Sequence, residues 1–133
     1  VLTGRLPDTD MPVVFAAASA LLVTLADAPV LALTIPSKVQ AYLAAGRPVI
    51  ASLNGEGARV VREAGAGLTC PAGDAEALAA AVLRLRGMTP EERLRLGENG
   101  RRYFDAHFES ARRVRELIEH FQDIAKQSRE SSQ

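Results

Sequence analysis

Between Thr34 and Glu56 the chain reads TIPSKVQAYLAAGRPVIASLNGE, and few folds can house that run. Pro36-Ser37-Lys38 carries the signature of a helix start. Gly46 is the left-handed residue that stops a helix, and Pro48 to Ser52 is an uncharged stretch suited to a strand covered on both faces. A second glycine-rich turn, Asn54-Gly55-Glu56-Gly57, follows at once. A helix leading directly into a buried strand is the return half of a crossover between parallel strands. Backbone-rich turns at the ends of such strands present free amide N–H groups that can hold anionic oxygens without a metal, the layout a nucleotide diphosphate requires.

The rest of the chain extends this alternation. Val1 to Thr3 reads as the end of a strand, stopped by Gly4-Arg5-Leu6-Pro7. A helix from about Met11 to Ser19 precedes a buried strand at Ala20 to Leu25, and Ala26 to Ile35 is a proline-interrupted connection. Ser37 caps a helix to Ala45, Pro48 starts the strand to Ser52, Ala58 to Ala64 is a helix and Gly67 to Cys70 a strand. Strands then cease. Asp74 caps a helix to about Arg86, Thr89-Pro90-Glu91-Glu92 is a capping box, and Glu109-Ser110 begins a last helix to about Lys126. The fold class is therefore α/β, a doubly wound parallel sheet of Rossmann-like type with a helical C-terminal tail. Residues 1–126 read as one ligand-binding domain and 127–133 as a polar, frayed tail. Only four strands can be counted, so the expectation is that a strand and helix once preceded Val1.

Charge placement supports the division. Of 32 charged residues only ten lie in residues 1–70, which points to a buried sheet followed by solvated helices. From Met11 to Ser37 the only charge is Asp27, but Pro12, Pro29 and Pro36 and the change from helical to strand-like pattern argue against a membrane span. A single cysteine, Cys70, forms no intrachain disulfide and reads as a packing residue at a strand end. His107 and His120 lack ligands at metal spacing, so no metal or cofactor is expected, and no Ser/His/Asp set or GxxxxGK(S/T) loop is present. Arginines at 93, 95, 101, 102, 112, 113 and 115 are interleaved with glutamates and aromatics make up only 5%, so these are salt-bridged faces and nucleic acid is not an expected partner.

The candidates for ligand contact are Gly4, Arg5, Pro36, Ser37, Lys38, Gly55, Glu56 and Gly57. Ser37 and Lys38 open a helix whose positive end faces the carboxyl ends of the strands; read alone, they are better taken as a helix cap and a solvated lysine. Gly55 and Gly57 allow close backbone approach, and Glu56 can bond a sugar hydroxyl or simply face water. Gly4-Arg5, at the end of the first strand, is at the height for a base or phosphate contact, or on the surface. No catalytic residue is assigned.

The segments PSKVQAYLAAGRPVIAS, GEGARVVREAGAGLTCPAGD and MTPEERLRLGENGRRYFDAHF together resemble the C-terminal, donor-binding domain of family 4 retaining glycosyltransferases of the two-domain GT-B fold. The likeness is greatest to the subgroup of fucosamine transferases and colanic-acid-type or O-antigen glycosyltransferases, and extends from Val1 to about Phe121. What the resemblance implies is a nucleotide-diphosphate sugar donor, in this subgroup usually a UDP-linked N-acetylated sugar, held without a divalent metal. Ser37 and Lys38 match the family's Pro-Ser-Lys turn and Gly55-Glu56-Gly57 its GEG loop. The acceptor, lipid-linked or saccharide, is then bound by an N-terminal domain this chain lacks, in surface polysaccharide synthesis. The resemblance places the parent protein in the cytoplasm, at the membrane's inner face through the full-length chain only.

Two departures stand out. Many family members carry two glutamates eight positions apart, the second binding ribose; Leu33 and Ala41 occupy those places, leaving Gln40, Tyr42 or backbone groups for that contact. The missing acceptor domain and first donor-domain elements imply that the isolated chain binds nucleotide weakly and is inactive. Apolar Val114, Leu117, Ile118 and Phe121 recur at helical spacing on the last helix. A GT-B-like UDP-sugar epimerase and a non-catalytic nucleotide-binding or assembly module are the alternatives.

Overall fold

The computed structural model describes residues Leu2–Glu130. Three strands, β1 (Leu21–Thr24), β2 (Val49–Ser52) and β3 (Gly67–Cys70), form one parallel sheet in the order β1-β2-β3. A short 3-10 turn at Asp8–Asp10 leads into α1 (Met11–Ala17) ahead of the sheet. α2 (Pro29–Ala32) and α3 (Ser37–Ala45) connect β1 to β2, and α4 (Glu56–Ala64) connects β2 to β3. After β3 come α5 (Ala75–Gly87), α6 (Pro90–Phe104), a π-helical turn at Asp105–Glu109 and α7 (Ser110–Glu130).

All four residues of β2 are buried because helices cover both of its faces, and this is why the strand reads as an unbroken uncharged run. Val49 and Ala51 join Val23 and the α3 and α4 residues Val39, Leu43, Val60 and Val61 in the larger core. Ile50 points the other way, onto Ala81 and Leu85 of α5. The sheet is thus doubly wound, as the alternation of elements implies. Gly46 stops α3 in the left-handed conformation at φ 67°. α6 then crosses so closely that a Cβ at Gly97 would lie 2.1 Å from the Gly46 carbonyl oxygen. α6 also supplies donors for carbonyls that the preceding helices leave open: Arg101 donates to Ala44 O at 2.9 Å and Asn99 to Gly65 O at 3.1 Å.

Three strands, not four, make up the sheet among the described residues. Leu2 and Thr3 have no strand partner, and an extended segment without a neighbour cannot close ladder hydrogen bonds; Leu2 is fully exposed. Val1 lies outside the described residues. Ser37 is the first residue inside α3, not its cap. Pro36 is the N-cap, with extended backbone (φ −59°, ψ 141°) and a carbonyl that accepts from Val39 N at 3.0 Å. The Ala26–Ile35 connection contains the single turn of α2, and α4 begins at Glu56, two residues earlier than the apolar pattern suggests.

The helical tail is also more continuous than its sequence suggests. α6 and α7 are joined through the π-helical turn with Asp105 and Ser110 both in the right-handed helical region, and α7 continues to Glu130, past the expected end near Lys126. Val114, Leu117, Ile118, Phe121 and Ile124 stand exposed along α7. Arg101–Asp105 and Arg113–Glu109 are the expected salt-bridged faces. No helix among the described residues is long and apolar enough to cross a membrane.

Candidate functional site

Parallel strands followed by helices place the starts of α3, α4 and α5 at the carboxyl edge of the sheet, where open α/β sheets bind ligands. These helix starts differ in how their free amides are treated. At α5 the Asp74 carboxylate accepts from Ala77 N at 2.9 Å. At α6, whose start lies beside Ser19, Gly46 and Pro48 at the opposite edge, Thr89 and Glu92 form the full capping box, with bonds of 3.2 and 2.8 Å. At α3 and α4 no side chain caps the helix. The amides of Ser37 and Lys38 on α3, and of Glu56, Gly57 and Ala58 on α4, find no acceptor among the described residues.

The two uncapped starts touch. Gly57 packs directly on the Pro36 ring: a Cβ there would sit 2.9 Å from Pro36 Cδ and 2.8 Å from Leu53 Cδ1. Gly55 holds φ 75° and ψ −140°, open to glycine alone, and a Cβ there would lie 2.0 Å from Ala32 O. The close approach that the glycines permit is therefore first an approach to α2 and α3, which brings two helix ends side by side. Each such end carries roughly half a positive charge, so the pair presents about one unit of charge to an anion. Lys38 adds an exposed ammonium with no ion pair among the described residues, and Ser37 an exposed hydroxyl without a hydrogen-bond partner.

Glu56 stands at the same turn but is engaged. Arg59 Nε donates to both of its oxygens, at 3.2 and 3.0 Å, and Arg59 also reaches Glu63. The Arg59 hydrogen bond holds the Glu56 carboxyl below the ordinary carboxylate value, and Glu56 in turn raises the guanidinium. Glu56 is ionised near neutrality, an acceptor fixed in direction by its partner.

Pro36, Ser37, Lys38, Gly55, Glu56 and Gly57 are thus brought together. Gly4 and Arg5 are not: residues 2–7 have no regular structure, so neither stands at a strand end, and Arg5 is exposed with no hydrogen bond or ion pair among the described residues. Tyr42 packs edge-on against Phe15, centroids 5.4 Å apart, and burial pushes its hydroxyl pKa up. Gln40 borders a cavity of about 320 Å³ together with Phe104 and Phe108. Cys70 is buried at the end of β3. Sequence reasoning missed Asn54, which bonds Asp27 and Ala72, and Arg62, which borders a cavity of about 290 Å³ with Asn54, Gly55 and Thr69. The only sequence signal for Asn54 was its place in a turn motif; Arg62 gave none.

A parallel sheet with helices on both faces defines a Rossmann-like α/β fold. A family model described as "Glycosyl transferases group 1" matches residues 1–87, and the chain belongs to that family. No curated protein and no solved structure matches it.

Proposed function

We infer that this chain is the donor-binding part of a glycosyltransferase, with the diphosphate of a nucleotide-diphosphate sugar held between the starts of α3 and α4. The observation that carries the reading is the packing of two uncapped helix starts against each other at the carboxyl edge of the sheet. α1 and α2 also lack side-chain caps, but the starts of α3 and α4 meet through Pro36 and Gly57 and leave five amides without an acceptor among the described residues. As the sugar leaves, negative charge grows on the diphosphate, and preoriented amides stabilise that charge without reorganising. Lys38 neutralises it from the solvent side, the Ser37 hydroxyl bonds an outer oxygen, and Glu56 accepts from a sugar hydroxyl.

The donor we favour is a UDP-linked N-acetylated sugar. A separate acceptor-binding domain would deliver a lipid-linked or saccharide acceptor for surface polysaccharide synthesis on the cytoplasmic side of a membrane. That reading rests on the Pro-Ser-Lys and Gly-Glu-Gly turns. The isolated chain then binds nucleotide weakly and transfers no sugar. Titration of ¹⁵N-labelled protein with UDP tests it: Ser37, Lys38 and Gly55 amides shift together if it is right. Shifts confined to the arginine-bearing α6 and α7 would refute it.

A further inference from the structure

Asn54 stands among the loops that follow all three strands. Its Oδ1 accepts from the Ala72 amide in the β3–α5 turn at 3.1 Å, and its Nδ2 donates to Asp27 Oδ1 in the β1–α2 loop at 2.9 Å. The direction of the side-chain amide is dictated by Ala72, whose backbone N–H only donates, which leaves Nδ2 to face the Asp27 oxygen. No other side-chain hydrogen bond among the described residues reaches the β1–α2 loop. Asn54 also immediately precedes Gly55, whose other side rests on the Ala32 backbone. The turn that opens α4 is therefore clamped between α2 and the Asn54 bridge.

We propose that Asn54 is the positioning residue of the donor site: by tying Asp27 to Ala72 it fixes the direction in which the first amides of α4 face those of α3. This rests on the donor-site reading above. A residue that merely supported the fold would change the melting temperature and leave anion affinity alone. A positioning residue changes affinity, and the pattern of donor and acceptor, not side-chain size, decides the outcome.

The test is calorimetric titration of the whole chain with inorganic pyrophosphate, with melting temperature recorded for each variant. Asn54→Ala binds about tenfold more weakly, the scale of losing one net hydrogen bond of ordinary strength. Asn54→Asp is similarly weak at neutral pH, because two carboxylates then face each other. Asp27→Asn stays near wild type, since its amide oxygen still accepts from Asn54. The double variant Asn54→Asp with Asp27→Asn reverses donor and acceptor and restores binding; it decides the matter should Asn54→Ala fail to fold. Unchanged affinity across the variants, or a reversed pair that stays weak, overturns the proposal while the donor site stands. A wild-type chain that binds no pyrophosphate overturns the donor-site reading and this inference with it.

Discussion

Gly57→Ala isolates the contact between the two helix starts. The added methyl would lie 2.9 Å from Pro36 Cδ, and ordinary van der Waals contact begins at 3.4 Å, so Pro36 and the α3 start must retreat by about 0.5 Å or more. The second neighbour, Leu53 Cδ1 at 2.8 Å, is the tip of a flexible side chain but is itself fully buried, with little room to turn. Overpacking of this kind costs about 1–3 kcal/mol. Alanine in place of glycine in a helix returns about 1 kcal/mol. The net effect on stability is a loss of about 0–2 kcal/mol, a melting temperature lower by at most roughly 10 °C in a chain of this size.

Anion binding should weaken as well as stability, because in the proposed donor site the substitution spreads the amides of α3 and α4. We expect pyrophosphate affinity to fall by about tenfold, or about 1.4 kcal/mol. Gly87→Ala is the control: it likewise places alanine at a helical glycine, but with no atom within 4 Å, and lies in α5 away from the pair of helix starts. It should change stability by no more than about 1 kcal/mol and leave affinity unchanged. Calorimetric titration paired with thermal unfolding measures both quantities. A Gly57→Ala protein that binds as tightly as wild type would show that the spacing of α3 and α4 is not what forms the site.

Other consequences are equally direct. Thr89→Ala removes the capping box of α6 and should cost about 1 kcal/mol in urea unfolding with no change in pyrophosphate affinity, since that helix starts at the far edge of the sheet. Leu43→Ala empties a fully buried position facing Gly100 and should cost about 2–5 kcal/mol by the same measurement. The Glu56 pKa is depressed in the folded chain by the Arg59 hydrogen bond, so the associated stability is present above the unfolded glutamate pKa and is lost as pH falls through the lower folded one. In Arg59→Ala the NMR titration midpoint of the Glu56 carboxyl should move up to the ordinary value; a midpoint that stays put would mean that Arg59 does not hold it.

Much of the architecture was legible because local and global signals agree. Gly46 stops α3 where a glycine must, β3 occupies Gly67–Cys70 as read, and the Thr89–Glu92 box forms as written. The misreadings have separate causes. The Val1–Thr3 segment has strand composition, but a strand is defined by a neighbour, and Leu2 and Thr3 have none among the described residues. Ser37 has the chemistry of a cap, yet Pro36 takes that place because its fixed φ and extended ψ already supply the cap conformation. The π-helical turn leaves no mark in composition, since Asp105 to Glu109 read as ordinary helix-end residues.

The candidate site was legible in its residue types and less so in their causes. Gly55 and Gly57 stand out as glycines that let backbone approach closely, but what approaches them is Ala32 and Pro36. Glu56 was visible as an acid at a glycine turn; its commitment to Arg59 follows from their separation by three residues once α4 begins at Glu56 and not at Ala58. Asn54 escaped notice because its partners, Asp27 and Ala72, lie 27 and 18 residues away in sequence and meet it only when the three strands align.

The most direct measurement is a crystal of the chain soaked with uridine diphosphate. The account predicts phosphate oxygens within hydrogen-bond distance, about 2.7–3.2 Å, of amides on both helices, Ser37 or Lys38 on one and Glu56 or Gly57 on the other. Density for the diphosphate on the arginine face of α6, with those amides left to solvent, would contradict it.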